Sequence, residues 1–474
     1  MFKSNFSKKA LIMVVSLILL VSTLLVACDP ASGEFDKFPS LPGAGEVSSN
    51  GGIAVAYGDY IYYVNGYNSS YTGSNKYEGD VALGNIVRIL KSDLDEIVAI
   101  NNEDTTSSQK TEKIAEQVYE KSELVVPKVV YSGNTTDTSV TGIYIFGNKL
   151  YYTTPNDDLA ANGSVKYSEL SIYSADLDGK NNTKLFTMTS NSLVMSMMEK
   201  DSKVYAMYVE TTATDTTKAG LYAVELTASK PTATLISEGA TTVSFDKNTL
   251  SAYYLNKDGS ICSYTVGEEK ETVLVEKTKE STMTYTIVSN NNGTVYFKQV
   301  DSTNTSLKYG LLAIKKGDEK AVSVFADESK TGIFGYGNGV VLADKLAESA
   351  LSVYQLVYTS GSAEEIIYVL PESSQGSAIT INKIDGDILY YTVDSKLYSL
   401  NLKTVLESEQ PATDEDITFV AYSVAATTGW AAYDVLGEYV FSFSGDKVQV
   451  VKYDAEKEAN ITTDITSVKP EEDK

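Results

Sequence analysis

The 474-residue chain has no histidine, two cysteines, one tryptophan and a single arginine, Arg88. The absence of histidine excludes Ser-His-Asp and Cys-His catalysis and His-ligated zinc, iron or haem. Two cysteines are too few for a disulfide scaffold. Positive charge is also scarce: 39 Lys and Arg against 63 Asp and Glu give a net charge of −24, which argues against a nucleic-acid partner. By contrast, 34 tyrosines and 43% hydrophobic residues indicate a globular protein.

The sequence contains no recognisable nucleophile, metal or cofactor motif, so we expect no catalytic residues, no metal and no cofactor. The segment from Asp176 to Asn181 resembles the start of a calcium loop, but Thr187 stands where an EF-hand needs glutamate. We interpret it as a hairpin turn. The cluster Asp414-Glu415-Asp416 is an acidic surface loop in our interpretation, although paired carboxylates also serve glycoside cleavage.

The N-terminus has the pattern of a secretory signal. Lys3, Lys8 and Lys9 precede an apolar stretch over residues 10–27. The stretch ends Leu25-Val26-Ala27-Cys28, which matches a bacterial lipobox. We therefore predict cleavage after residue 27, lipidation of Cys28 and anchoring on the extracellular face of the cell membrane. The alternative is an uncleaved membrane helix, since about 18 apolar residues just span a bilayer.

The segment after the signal is rich in Pro, Gly and Ser and lacks an apolar period. It predicts a flexible tether over residues 28–50. A folded domain is expected over residues 51–466, followed by a disordered acidic tail over 467–474.

From residue 51 the chain repeats with a period of about 48 residues, which predicts a solenoid, propeller or array. An apolar-Tyr-aromatic mark follows a Gly, Asn or Asp turn eight times, with equivalent positions at Tyr62, Tyr151, Tyr205, Tyr253, Tyr296, Val341, Tyr390 and Val440. Each unit contains four short β-type segments separated by turns. The fold class is therefore all-β, a β-propeller of eight four-stranded blades, with seven blades as the alternative.

The first interval between marks is oversized, and residues 107–123 carry apolar side chains at helical i,i+4 spacing, such as Ile114 and Val118. We predict a short helical insertion between the third and fourth strands of blade one. In unit four, Cys262 stands where other third strands carry Tyr, which predicts a lone core thiol.

These features resemble an uncharacterised family of Tyr-rich β-propeller lipoproteins of Gram-positive bacteria. The resemblance rests on the lipobox, on recurrent IYY, LYY and LYSL strands, and on the segment TGIYIFGNKLYYTTP at 141–155. It implies an architecture and a surface location but no activity.

The loops between second and third strands are long in the first units, spanning residues 65–85, 155–168 and 211–219. Tyrosine among Asn, Ser and Gly is typical of recognition loops. We predict a binding face on these loops that contains Tyr67, Tyr71, Tyr77, Tyr167, Asn156 and Asp158.

The leading functional hypothesis is a non-catalytic, monomeric surface platform that binds a protein, peptide or glycan. Two alternatives stay open. One is a carbohydrate-active enzyme that uses Asp, Glu and Tyr, and the other is an envelope assembly scaffold.

Overall fold

The computed structural model describes residues 38–69, 80–130, 142–159, 165–189, 194–210, 219–304, 310–327, 330–346, 353–361, 363–371, 374, 376–408, 410–422 and 433–469. The side chains of residues 155–168 and 331 are outside this description. The predicted signal segment and Cys28 also lie outside the described residues.

In the described residues the chain forms eight antiparallel sheets, each from strands consecutive in sequence. Blade one contains β1 (Val47–Ser48), β2 (Ala54–Tyr57), β3 (Tyr60–Val64), β4 (Ile86–Leu90) and β5 (Glu123–Val126). Blade two contains β6 (Tyr144–Phe146), β7 (Lys149–Leu159), β8 (Val165–Asp176) and β9 (Thr183–Thr187). Blade three contains β10 (Met195–Lys200), β11 (Lys203–Glu210), β12 (Gly220–Glu225) and β13 (Thr234–Glu238). Blade four contains β14 (Thr241–Asp246), β15 (Ser251–Leu255), β16 (Ile261–Thr265) and β17 (Thr272–Val275). Blade five contains β18 (Met283–Asn291), β19 (Thr294–Asp301), β20 (Leu311–Lys315) and β21 (Val322–Phe325). Blade six contains β22 (Thr331–Tyr336), β23 (Gly339–Lys345), β24 (Tyr354–Thr359) and β25 (Glu364–Val369). Blade seven contains β26 (Thr380–Asp385), β27 (Ile388–Val393), β28 (Lys396–Asn401) and β29 (Thr418–Tyr422). Blade eight contains β30 (Tyr433–Leu436), β31 (Tyr439–Ser444), β32 (Lys447–Asp454) and β33 (Ala459–Asp464).

The eight-bladed propeller is confirmed, and the seven-bladed alternative is wrong. All eight marks found in the sequence fall on the second of the four core strands of their blades. Because the strands run as a meander, the turns that join first to second and third to fourth strands share one face, here called the turn face. Second-to-third connections and blade-to-blade connections share the opposite face, called the loop face.

The outermost strand of blades one to seven carries the same irregularity. Near the start of its pairing with the third strand, the register shifts by one residue on the outer strand. Such bulges bend an edge strand and disrupt its pattern of free N–H and C=O groups. The repeat thus protects its own exposed edges against pairing with other chains.

Tyrosine supplies recurrent cross-strand pairs within the blades. The pairs Tyr152–Tyr173, Tyr208–Tyr222 and Tyr391–Tyr398 each stack with ring centroids 5.6 Å apart. In blade four the corresponding partner of Tyr254 is Cys262, a fully buried free thiol whose pKa is raised by burial to about 12. The prediction of a lone core thiol is confirmed.

Three α-helices occur in the described residues: α1 (Lys91–Ala99), α2 (Ser107–Lys121) and α3 (Leu402–Ser408). The predicted insertion in blade one is confirmed as α2, which joins the third and fourth strands and buries Ile114 and Val118. The sequence interpretation missed α1 and α3, because helices of nine and seven residues are too short for their apolar spacing to stand out. None of the described helices has both the length and the apolar character needed to cross a membrane.

In the part of the chain that the structure describes, the first and last blades exchange no strand, since β2–β5 and β30–β33 form separate sheets. The closure seam instead lies within a hydrophobic cluster to which blades one, two and eight, α1 and α2 contribute. Val118, Tyr63, Phe441 and Ile465 are among its buried members. Burial of this surface supplies the main attraction across the seam.

Polar side chains complete the seam. The Tyr63 hydroxyl donates to the carbonyl oxygen of Ile465 at 3.0 Å and lies 3.0 Å from the Ser122 hydroxyl. The Asn65 amide donates to Ser467 O at 2.7 Å and accepts from Ser467 N–H at 2.8 Å, so it imitates a backbone partner. Ser467, the first residue of the expected tail, is therefore fully buried in the fold.

Removing the Tyr63 hydroxyl tests the seam. Tyr63→Phe leaves the Ile465 carbonyl without this partner in a buried position, so we expect a loss of about 1–2 kcal/mol in the free energy of unfolding. The matched control is Tyr205→Phe, whose half-buried hydroxyl makes only a 3.4 Å contact to Glu225. Urea unfolding measures both. Equal, small effects would show that the Tyr63 contact does not hold the seam.

Candidate functional site

Residues 38–52 form a strap that lies along the turn face of blades one and two. Phe38 lies at the Leu177–Asn182 turn, with its ring 5.9 Å from Lys180 Nζ. The Gly58 N–H donates to Glu46 O at 3.3 Å. Residues 38–50 belong to the predicted flexible tether of residues 28–50. In the structure they instead make ordered contacts, because they supply backbone partners to the blades.

The inner part of the strap pairs with the innermost strands of two blades. In blade one, Val47 and Ser48 pair with Tyr57 and Ala56. In blade two, Gly51 N–H donates to Ile143 O at 2.7 Å, and Ile143 N–H donates to Gly52 O at 2.8 Å. These strand edges would otherwise face the central channel. The strap therefore fills the channel beside blades one and two.

Asn50 continues this pairing with its side chain. Its Oδ1 accepts from Ile145 N–H at 2.7 Å, and its Nδ2 donates to Ile145 O at 3.0 Å. Its own carbonyl oxygen accepts from Lys247 Nζ of blade four at 2.9 Å. A single residue thus links blades one, two and four across the channel.

Two glycines make room for the strap. A Cβ on Gly52 would lie 2.4 Å from Asp434 Oδ2, and one on Gly142 would lie 2.0 Å from Gly51 O. Gly142 also has a φ of +94°, which side chains rarely adopt. The Asp434 carboxylate therefore leaves no room for a side chain at Gly52, and the Gly51 backbone leaves none at Gly142.

Buried charge fixes the end of the strap. Asp434 on β30 is 8% exposed and accepts from Ile53 N–H at 2.7 Å and Ala54 N–H at 3.1 Å. Lys383 Nζ lies 3.7 Å from its other carboxylate oxygen. Burial raises the pKa of Asp434 above its usual range, opposed by Lys383 and the two N–H groups. These contacts join blades seven, eight and one.

The outer part of the strap is held by Arg88, the single arginine of the chain. Its fully buried guanidinium donates to Ser40 O at 2.5 Å, to Glu123 at 2.6 Å and to the Tyr62 hydroxyl at 3.2 Å. It also lies 4.1 Å from the ring centroid of Tyr60. The planar fork of arginine suits several acceptors at once, which lysine does not offer.

The predicted binding-face residues are only partly described. Tyr67 is half-buried, and its N–H donates to Asp446 O of blade eight at 2.9 Å. Asn156, Asp158 and Tyr167 lie on β7 and β8, not in a loop, and their side chains are outside the description. Tyr71 and Tyr77 lie outside the described residues. The patch that would join these tyrosines stays a prediction.

The expected loop over residues 155–168 is wrong in its conformation. Strand pairing continues from Pro155 opposite Leu170 to Leu159 opposite Val165, with two irregularities. The register shifts on either side of Asn156 accommodate Pro155 within the pairing. Blade two therefore carries a long hairpin on the loop face.

Other candidate chemistry turns out to be structural. The 177–182 segment is a turn between β8 and β9 in which Asp178 Oδ1 accepts from Lys180 N–H at 3.1 Å. Asp414 accepts from the Tyr368 hydroxyl, and Asp416 accepts from Thr413 N–H and hydroxyl at 2.8 Å. The residues that the structure describes contain no group of three or more His, Cys, Asp or Glu arranged to hold a metal.

Sequence reasoning missed the strap, Arg88, Lys383 and Asp434. One signal was available: a lone arginine within an otherwise apolar strand is an unusual choice in a lysine-rich chain. The pairing of Asn50 with Ile145 had no local signal, because it depends on contact across the ring.

No family model matches the chain, and no curated protein matches it. Solved structures with similar folds include the β-propeller domain of the Trilobed protease from Pyrococcus furiosus, described as having an open velcro topology. It is 14% identical, with a TM-score of 0.41, covering 69% of this chain and 98% of that one. Oligogalacturonate lyase from Vibrio parahaemolyticus is 12% identical, with a TM-score of 0.38, covering 65% and 88%. TolB from Acinetobacter baumannii is 12% identical, with a TM-score of 0.27, covering 50% and 58%. These similarities concern propellers in general and carry no functional argument.

Crowding at Gly52 provides a test of the strap. Gly52→Ala places a methyl group against the Asp434 carboxylate, so we expect a loss of about 1–3 kcal/mol in the free energy of unfolding and faster proteolysis within residues 38–52. Gly43→Ala is the matched control, because a Cβ at Gly43 meets nothing within 4 Å. Similar proteolysis of both variants would contradict the insertion of the strap.

The raised pKa of Asp434 predicts a pH dependence. A buried carboxyl that favours its protonated form contributes stability below its ordinary pKa of about 3.9, and this contribution is lost as the pH rises through the higher folded value. Asp434→Asn keeps an acceptor oxygen but removes the titration. The unfolding free energy of the wild type minus that of the variant should therefore fall as the pH rises from acid towards neutral. Urea titrations measure this difference, with exposed Asp258→Asn as control. A constant or rising difference would contradict the assignment.

Proposed function

We propose that this protein is a lipid-anchored cell-surface β-propeller that acts as a non-catalytic platform for a protein, peptide or glycan. The observation that carries the proposal is the hairpin of blade two. Its strands β7 and β8 have 11 and 12 residues, whereas the second and third strands of the other described blades have five to eight.

A long paired hairpin extends the loop face with a stiffer element than a free loop, because its backbone groups bond to each other. Rigid elements hold recognition residues at lower entropic cost on binding. The hairpin carries Asn156, Asp158 and Tyr167, which belong to the predicted binding face. This supports the loop face as the binding surface.

The engagement of charged groups favours binding over catalysis. Asp434 is tied to backbone N–H groups, and Arg88 to Glu123 and Ser40. Several tyrosines near the core, such as Tyr62 and Tyr390, have pKa values raised by burial to about 12, which disfavours their ionisation. These groups hold the fold and are poorly placed to act as acids, bases or nucleophiles.

The anchor is tested by Cys28→Ser. The lipobox predicts that the thiol of Cys28 takes the lipid, so the variant should lose incorporation of an alkyne fatty acid and remain uncleaved or be shed from cells. Equal labelling of wild type and variant would contradict the anchor.

The platform is tested by crosslinking on intact cells, followed by identification of the captured protein and a glycan array for sugars. Once a partner is found, Tyr67→Ala, Tyr71→Ala, Tyr77→Ala and Tyr167→Ala are compared with Tyr205→Ala, near the turn face of blade three. We expect at least one loop-face change to weaken binding by about 2 kcal/mol or more, since aromatic anchors commonly dominate an interface. Loss of binding only with Tyr205→Ala would place the site on the wrong face.

A further inference from the structure

The strap fixes the point at which the anchor segment meets the propeller. Every strap contact named above lies on the turn face or in the channel: Phe38 at the 177–182 turn, Glu46 at the Gly58 turn and Ser40 at Arg88. The chain N-terminal to Phe38 therefore joins the molecule at the turn face of blades one and two.

Only nine residues, 29–37, separate Cys28 from Phe38. Whatever their conformation, ten residue steps reach at most about 33–36 Å. A tether running to residue 50 would reach more than twice as far, about 73–79 Å. Ordering of the strap therefore holds the turn face close to any lipid attached at Cys28.

Two apolar side chains lie exposed at this junction. Leu41 is 60% exposed and Phe38 is 39% exposed. The other large apolar residues that are exposed in the described part of the chain lie elsewhere: Val273, Val322, Ile366 and Val369 on outer strands, and Val194 and Val468 towards the loop face. Transfer of apolar side chains beside a lipid anchor from water into the interfacial region of a bilayer is favourable.

We propose that the turn face of blades one and two is the membrane-facing surface of the protein, and that Phe38 and Leu41 contact the lipid. The proposal rests on the lipid anchor proposed above. The net charge of −24 gives no general attraction to anionic lipid, so the contact is confined to the strap. The loop face and its long hairpin then point away from the membrane.

Two single-cysteine variants of the lipidated full chain test the orientation. Asp59→Cys places a fluorophore on the turn between β2 and β3, and Asp258→Cys places one on the loop-face turn between β15 and β16. Both positions are exposed, whereas native Cys262 is buried and resists labelling. The proteins are reconstituted into phosphatidylcholine vesicles that carry a headgroup acceptor dye.

Strands of five or six residues span about 17–20 Å, so the two labels differ in height by about that distance. We expect energy transfer from Asp59→Cys to exceed that from Asp258→Cys several-fold. Equal transfer, or more from Asp258→Cys, in protein that floats with the vesicles overturns the orientation and leaves the anchor intact. Failure of the wild type to float overturns the anchor, and the orientation with it.

The lipid contact is tested separately by Leu41→Asp, which should reduce energy transfer from the Asp59→Cys label by placing a charge at the interface. Val468→Asp is the matched control at an exposed apolar residue near the loop face, and it should leave the transfer unchanged. An equal response to both substitutions would show that Leu41 does not meet the bilayer.

Discussion

The structure depends on the seam at which blade eight meets blade one. Among the described strands each blade is complete within its own stretch of chain, and none of them ties the ends of the ring together. Closure relies on one hydrophobic cluster and on side chains that imitate backbone partners, such as Asn65 with Ser467. The helices of the insertion belong to this seam. The insertion is the largest departure from the repeat, and its burial at the seam explains why it occurs in blade one.

Side chains also replace backbone partners where the strap lies in the central channel. Where the strap enters blade one, Asp434 of blade eight accepts hydrogen bonds from the N–H groups of Ile53 and Ala54. Asn50 of the strap in turn accepts a hydrogen bond from Ile145 N–H of blade two. Closure, channel filling and the position of the N-terminal segment are therefore one structural problem.

The repeat was predictable because it is local: each turn and each Tyr-rich strand reports its own hairpin. Eight marks sufficed for the blade number, and the i,i+4 spacing of Ile114 and Val118 sufficed for α2. The strap was not predictable, because a segment rich in Pro and Gly can be either a free tether or a segment packed against other backbone. The 155–168 hairpin was missed because Asn and Asp are normally turn residues, whereas strand pairing in β7 keeps Asn156, Asp157 and Asp158 extended.

Hydrogen–deuterium exchange followed by mass spectrometry tests the closure of the ring most directly. The account predicts that peptides covering residues 47–54 and 461–467 are protected to a similar degree and exchange through the same opening, and that Asp434→Asn accelerates both. Rapid exchange of 47–54 in the wild type, with 461–467 still protected, would show that the strap and the seam are independent and would contradict the account.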